Sequence, residues 1–403
     1  MSARPGGRHD IMRRMGRLEA TREAILATVC PLASERVGLH AAAGRWLAEA
    51  ARAGRDVPAF ACSAMDGYAV RSGDTLVASR LRVARAIYAG DDPGDPIASG
   101  EAARIFTGAP LPPGADAVVR EEAAHESDGS VEVRAAATPG ENVRQAGEDV
   151  VRGGVALERG TRIGARQLAL LTSIGLDALE VVRAPRVALL CTGDELVRGR
   201  TPDSNGAAIQ AALRGMGLEV RASAVGDDLD AITRAIEEGL ASCDAVVTTG
   251  GVSIGVRDHV PSAVARLGGD IRVHGVPMKP GKPFLFALAR GRPLFGLPGS
   301  PSACLVAFEV FARPTLLRLA GSARPLRRAV RLPIAEAVSG RAGRARFLWA
   351  RIEEDGRVRP IGRDAAQVRG PALADALVLL EEGIGELAED APVTTWLLEE
   401  DGS

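Results

Sequence analysis

The sequence predicts a multidomain α/β-plus-β protein: a Rossmann-like α/β domain with a mostly parallel sheet, an inserted β module, a split helical domain and a small C-terminal β domain. Three patterns carry this. Residues 183–322 alternate strand-like apolar runs with helical spacing. Residues 54–140 and 323–403 alternate short β-type runs with turns. Helix-like stretches flank the first of these β regions.

Taken in order, residues 1–17 are polar and arginine-rich, lack the apolar region of a secretory signal, and read as a disordered arm. Residues 18–53 show helical spacing (Leu18, Ile25, Leu26, Val29, then Leu47 and Ala48), broken at Pro31. Within 54–140, strand-like runs at 68–70, 81–87, 117–119 and 131–133 are separated by turns such as GDDPG at 90–94. Residues 141–182 are mixed, with an amphipathic helix over 165–174 expected to pack beside the first helix, which makes 54–140 an insertion.

In the α/β region, 186–191 is a continuous apolar run, as expected of a strand buried on both faces. Further strands are predicted at 218–225, 245–248, 271–276, 284–288 and 293–297. Helices are predicted at 204–216, 229–240, 259–267 and 301–319, the last with Pro in its first turn. Residues 323–403 carry strand-like runs at 330–334, 347–352 and 393–397 and no long helix, and read as a separate β domain.

Composition excludes several classes. A net charge of −1 gives no global field toward nucleic acid or membrane. No apolar run is long enough to span a bilayer. Five scattered cysteines without a C-x-x-C pair indicate reduced thiols and a cytoplasmic setting, and no H-E-x-x-H suggests a zinc hydrolase. Of 50 basic residues only Lys279 and Lys282 are lysine. Where arginine serves everywhere else, a retained lysine points to a need for a compact ammonium.

Ligands of open parallel sheets bind beyond the carboxyl ends of the strands. The segments there are Thr192-Gly193-Asp194-Glu195; Gly226-Asp227-Asp228; residues 249–255 (TGGVSIG), then Asp258; the loop with Lys279, Gly281 and Lys282; and Pro298-Gly299-Ser300-Pro301-Ser302. Gly-rich loops let backbone N–H groups approach an anion, and two ammonium groups add to that. The carboxylates would repel it, and a Mg²⁺ ion between them and the anion resolves the conflict. Plainer roles stand beside these. The 249–255 loop is not G-x-G-x-x-G, and 275–282 is not a Walker A loop. Asp227, Asp228, Asp194 and Glu195 could cap helices, and Cys191 reads as a buried structural thiol. Residues 63–70 (SAMDGYAV) and 107–110 (TGAP) could be turn chemistry.

These strings together resemble the molybdopterin molybdenumtransferases, the MoeA family that includes the gephyrin E domain: SAMDGYAV at 63–70, TGAP at 107–110 with GADAVV at 114–119, NVRQAGED at 142–149, TGDEL at 192–196, DSN at 203–205, GGVSIG at 250–255 with Asp258, and PGKP at 280–283. The resemblance spans about residues 18–320. It implies a split helical domain (18–53 and 141–182), an inserted β module (54–140), an α/β molybdopterin-binding domain (183–322) and a C-terminal β barrel (323–403). It implies a homodimer in which the β module of one subunit faces the crevice of the other, with the molybdopterin adenylyltransferase as a candidate partner. The implied reaction is insertion of molybdate into adenylylated molybdopterin with release of AMP, assisted by Mg²⁺. Carried over by position, Asp66, Thr107, Asp149, Glu195, Asp228, Asp258, Lys279 and Lys282 are the implied catalytic set, with Glu195, Asp228 and Asp258 as metal ligands. Thr192, Gly193, Asp194, Ser204, Asn205, Gly250, Gly251, Ser253, Gly281, Pro298, Ser300, Pro301 and Ser302 would contact pterin or phosphate. The chain departs from the family pattern at Ala61-Cys62, at Ser300–Ala303, between Leu196 and Asp203, and at 367–376. Those departures leave open an altered paralogue that binds pterin or acts as a scaffold; a nucleotide-dependent transferase on another phosphorylated substrate is a third reading.

Overall fold

The computed structural model describes residues 17–75, 79–253, 255, 258–362 and 367–398. Most of the arm expected at 1–17, and Ile254 of the glycine-rich motif, lie outside the described residues. Among the described residues, no helix is long and apolar enough to cross a membrane.

The α/β region builds a six-stranded sheet in the order Glu219–Val225, Arg186–Thr192, Ala245–Thr249, Arg292–Leu297, Leu285–Ala289, Asp270–His274. The first four strands are parallel; Leu285–Ala289 runs against both its neighbours, so Asp270–His274 points the same way as the first four. Side chains alternate across the central strand. Val187, Leu189 and Cys191 join Ile209, Leu213, Phe308 and Phe311 on one face, whereas Ala188 and Leu190 join Ile232, Ile236, Val260 and Val264 on the other. Helices therefore cover both faces, each fully buried Leu, Ile or Phe contributing roughly 1.5–3 kcal/mol. The stretch read as one helix over 301–319 is interrupted: Pro301–Ala307 and Arg313–Leu319 are α-helical, with a π turn at Phe308–Ala312 between them. Pro314 has no N–H to return to the preceding turn, and the wider turn ahead of it absorbs that loss.

The 54–140 region forms a six-stranded sheet, ordered Ala117–Arg120, Gly67–Val70, Glu101–Ile105, Ser79–Ile87, Ser130–Val133, Ala124–Ser127. Outside it, Ser34–Gly38 pairs with Ala178–Val182, and Ala51–Arg52 with Val155–Leu157, all antiparallel. The expected packing of the two flanking helices does not occur. Helix Arg17–Leu26 places Leu18 and Ile25 in the core of the long 301–319 segment, and the end of that segment receives a bond from Leu32 N to Leu319 O, 2.9 Å. Helix Ala165–Ser173 instead buries Leu171, with Ile174 just beyond it, against Leu39, Ala42 and Leu47. Strand pairing, not helix packing, joins the flanks. The stretch around Leu47 and Ala48 is extended rather than helical.

The C-terminal strands Ala345–Ile352, Ala376–Leu380, Pro392–Leu397 and Ala329–Pro333 form one sheet, and Met278–Lys279 from the α/β region adds to it in parallel beside Ala345–Arg346. Its core is not separate, as the sequence suggested: Phe347, Trp349, Leu377 and Trp396 share one buried cluster with Phe284 and Phe311. The reason is again alternation, since Leu348, Ala350 and Val378 face a second, local cluster.

Gly67 sits between two partner strands where a Cβ would lie 2.0 Å from Val119 O. Gly67→Ala should therefore destabilise the protein by about 1–3 kcal/mol or more, read as a lowered denaturation midpoint; an unchanged midpoint would contradict the close approach.

Candidate functional site

The carboxyl ends of the parallel strands open into a cavity of about 410 Å³. Backbone and side-chain bonds lace the loops around it together. Gly193 N donates to Val225 O (2.9 Å), Gly250 N to Leu297 O (3.0 Å), Thr192 Oγ1 to Thr249 O (3.0 Å) and Asn205 Nδ2 to Gly299 O (2.7 Å). Of the sequence-predicted residues, Thr192, Gly193, Glu195, Ser204, Asn205, Gly250, Gly251, Asp258 and Pro301 line the cavity. The loop can turn so tightly because Gly250 and Gly251 adopt φ of +83° and +64°, and a Cβ on Gly250 would lie 2.9 Å from Thr192 Oγ1.

Four carboxylates, Glu195, Asp203, Asp227 and Asp258, face this space, and among the described residues no lysine or arginine does. Three are held by backbone donors. Asp203 caps helix Ser204–Gly215 by accepting from Gly206 N (2.7 Å), Asp258 Oδ2 accepts from Gly255 N (2.8 Å), and Asp227 Oδ2 accepts from Asp194 N (3.4 Å). Asp194 Oδ1 returns the last bond by accepting from Asp227 N (3.2 Å). The Glu195 carboxylate makes no hydrogen bond to another described residue and folds back over Gly193, where a Cβ would meet its Oε1 at 2.6 Å. Beneath the wall, burial pushes the Cys191 thiol up to about 12, with Asp203 adding to the effect, so Cys191 is a neutral buried thiol.

Several expectations need correction. Asp228 does not face the cavity: it caps helix Leu229–Ser242, accepting from Ala231 N at 2.8 Å, while its neighbour Asp227 takes the wall position. The triad Glu195, Asp228 and Asp258 is not assembled; among the described residues no group of three or more His, Cys, Asp or Glu could hold a metal ion. Ser302 is buried, and its Oγ accepts from Trp349 Nε1 (2.8 Å). Ser253 is exposed and, like buried Pro298 and half-buried Ser300, does not line the cavity. Leu196, Thr201, Pro202, Asp203, Asp227, Thr249 and Gly299 also line the cavity although sequence reasoning assigned them no site role; it placed Asp227, Thr249 and Gly299 in the segments at the strand ends. The cap pattern Asp203–Gly206 was the available signal: a Cβ on Gly206 would lie 2.0 Å from Asp203 Oδ2.

Lys279 and Lys282 stand outside the cavity lining on an adjacent loop, both exposed, and neither ammonium group is bonded or ion-paired to another described residue. The loop closes on itself through Val276 N to Lys282 O (2.9 Å), and Gly281 takes φ +104° where a Cβ would strike Met278 Cε at 2.4 Å. It is tied to the glycine-rich loop, since His274 Nε2 meets Val252 O at 3.0 Å. Pairing with the C-terminal sheet places Lys279 opposite Arg346.

The remaining predicted residues gather in and beside the β module, away from the cavity lining. Asp66 Oδ1 accepts from both Thr107 Oγ1 and Thr107 N, each at 2.7 Å. Asp149 Oδ2 accepts from Arg144 Nη2 at 2.7 Å. Ala64 N donates to Asn142 O and Gly108 N to Ser63 O, so the 63–70, 107–110 and 142–149 strings meet at one end of the module. The Thr107 hydroxyl and then its N–H hold the Asp66 carboxyl below the usual carboxylate range. A depressed folded pKa contributes stability above the unfolded pKa of about 3.8 and loses it as pH falls through the folded value. Thr107→Val should therefore raise the Asp66 pKa in a carboxyl NMR titration. Its stability loss should be present at neutral pH and vanish in acid; a loss independent of pH would refute the coupling.

Three family models match the chain: the MoeA N-terminal region (domain I and II) over residues 17–175, a probable molybdopterin binding domain over 188–318, and the MoeA C-terminal region (domain IV) over 331–398. A molybdopterin molybdenumtransferase of Staphylococcus aureus (strain MRSA252) is 36% identical over 299 residues, 71% of this chain and 71% of the relative. One of Bacillus subtilis (strain 168) is 37% identical over 300 residues, 70% of each. Two crystal structures of molybdopterin biosynthesis MoeA protein from Pyrococcus horikoshii match with TM-scores of 0.76 and 0.82, at 33% and 25% identity, covering 95% and 94% of this chain and 98% and 99% of theirs. With this similarity running through the loops that form the cavity, the chain belongs to the MoeA family.

Proposed function

We propose that the protein inserts molybdate into adenylylated molybdopterin and releases AMP, as a molybdopterin molybdenumtransferase of molybdenum cofactor biosynthesis. The observation that carries this reading is the division of charge at the sheet edge. The cavity offers four carboxylates, all acceptors, among Ser204, Asn205 and the glycine-rich loop, and suits the donor-rich edge of a pterin ring. The paired ammonium groups on the next loop suit the oxyanions, phosphate and molybdate, that the ring carries or receives.

Each residue then has a task. Asp227, Asp203 and Asp258 accept from the ring. Glu195, whose carboxylate has no partner among the described residues, positions water for attack on the phosphoanhydride phosphorus, which sends AMP away. Lys279 and Lys282 offset the charge of molybdate and of the leaving phosphate. Mg²⁺ fits as an ion shared between Glu195 or Asp258 and the substrate, because Mg²⁺ is commonly held by one or two carboxylates plus phosphate oxygens and does not need a three-carboxylate cage. When bound it would neutralise phosphate charge.

Asp66, Thr107 and Asp149 reach the same substrate if a second copy supplies its β module, and we therefore assign a homodimer. We keep the division into 18–53 with 141–182, 54–140, 183–322 and 323–403, and the cytoplasmic setting that free cysteines favour.

Purified protein given adenylylated molybdopterin, Mg²⁺ and molybdate should release AMP and yield active cofactor. Pterin binding without AMP at any molybdate concentration would favour the scaffold reading instead. Lys279→Ala should lower kcat/KM by about 10–100-fold, the loss expected for one charge-assisted bond. Lys279→Arg should also impair turnover, because a planar fork replaces a point charge; wild-type rates in that variant would remove the argument from lysine scarcity.

A further inference from the structure

We infer that Trp349, in the C-terminal sheet, is a positioning residue that sets the spacing between the lysine loop and the wall of the cavity. The strand Ala345–Ile352 is fastened to the α/β region at two points. At its start, Ala345 and Arg346 pair in parallel with Met278 and Lys279, and Ala345 N donates to Pro277 O at 3.0 Å. Further along, Trp349 Nε1 donates to Ser302 Oγ at 2.8 Å, in the segment that follows the cavity-lining Gly299 and Pro301. Both partners of that second bond are buried, with 6% and 2% of their surface exposed.

The two fastenings lie three to four residues apart, ~10–13 Å along an extended strand. One stiff element thus spans from the ammonium groups to the loop that closes the cavity. A buried indole N–H needs an acceptor, and Ser302 Oγ is the one it has. Slippage of the strand by one residue would turn Trp349 to the opposite face of the sheet, where Leu348 and Ala350 pack. The bond therefore locks the register that also holds Lys279. Ser302 is by this account a strut of the wall and not a direct ligand contact.

The inference takes its choice of ligands from the proposed molybdenum-inserting activity. Its test uses the full-length protein and two readings, AMP titration by calorimetry and steady-state KM for molybdate. Trp349→Phe keeps the aromatic packing and removes the donor. It should raise the AMP Kd and the molybdate KM by about three- to tenfold, the range for one neutral hydrogen bond, with kcat within about twofold. Ser302→Ala should do the same, and the Trp349→Phe/Ser302→Ala pair should be no worse than either single change. A lowered Tm with unchanged Kd and KM would overturn the inference by making the bond merely structural. Additive losses in the double variant would overturn it as well. Should the variants fail to fold, the indole ¹⁵N resonance of Trp349 in the unaltered protein must shift on adding AMP, and a static resonance would refute the coupling. A protein whose AMP affinity depends on this bond yet which never releases AMP from the adenylylated pterin would sink the proposed activity while leaving the positioning role intact.

Discussion

The parallel pairing of Arg186–Thr192 with its two neighbours is the constraint from which the rest of the molecule follows. Parallel strands must all end on the same edge, and the chain must turn back from each ending, usually into a helix. Five chain segments, up to about a hundred residues apart in sequence, are delivered to one rim with no further instruction. The loops are held to neighbouring strand ends, Gly193 N donating to Val225 O and Gly250 N to Leu297 O. The cavity is thus a property of the sheet, and its residue types are free to specify chemistry.

That chemistry depends on keeping acids and bases apart. Clustered carboxylates repel, and the cluster persists here because backbone N–H groups take up much of the charge: Gly206 for Asp203, Gly255 for Asp258, Asp194 for Asp227. Of the four, only the Glu195 carboxylate has no hydrogen-bond partner among the described residues, and it lines the cavity. Had Lys279 or Lys282 lined the same wall, each would have been drawn into an ion pair with the nearest carboxylate. One loop away, their ammonium groups have no ion-pair partner among the described residues.

How much of this was legible depended on the range of the interaction concerned. The strands of the doubly covered sheet were legible because burial on both faces writes an unbroken apolar run, as in residues 187–191. The strand Glu101–Ile105 was not, because small Ala102 and Ala103 fill its interior and charged ends mask the pattern. Asp227 and Asp228 follow the same strand end, and the sequence cannot distinguish a cap from a wall. Only the extended backbone of Asp228, turned to receive Ala231 N, separates the two roles. The partner of Ser302 was out of reach altogether, since Trp349 lies 47 residues away in another sheet. The packing of the first helix failed for the same reason: its apolar face looks alike whether it meets a neighbouring helix or Phe311.

The C-terminal sheet shows where such long-range effects accumulate. Its inner face contributes Phe347, Trp349 and Trp396 to the core that backs the central strand, and Phe347 packs edge-on to Trp396 at 5.4 Å. An appendage joined by a linker would bury its own apolar face and leave its neighbour's intact. Here each face completes the other, and a strand from the α/β region continues the sheet. The lysine loop therefore belongs structurally to both units. The backbone that carries the two lysines cannot move relative to the cavity unless a shared core of Phe284, Phe311 and Phe347 is repacked. Because close-packed cores resist small displacements, the base of each lysine is held as firmly as the fold itself, while its exposed side chain stays free to meet a ligand.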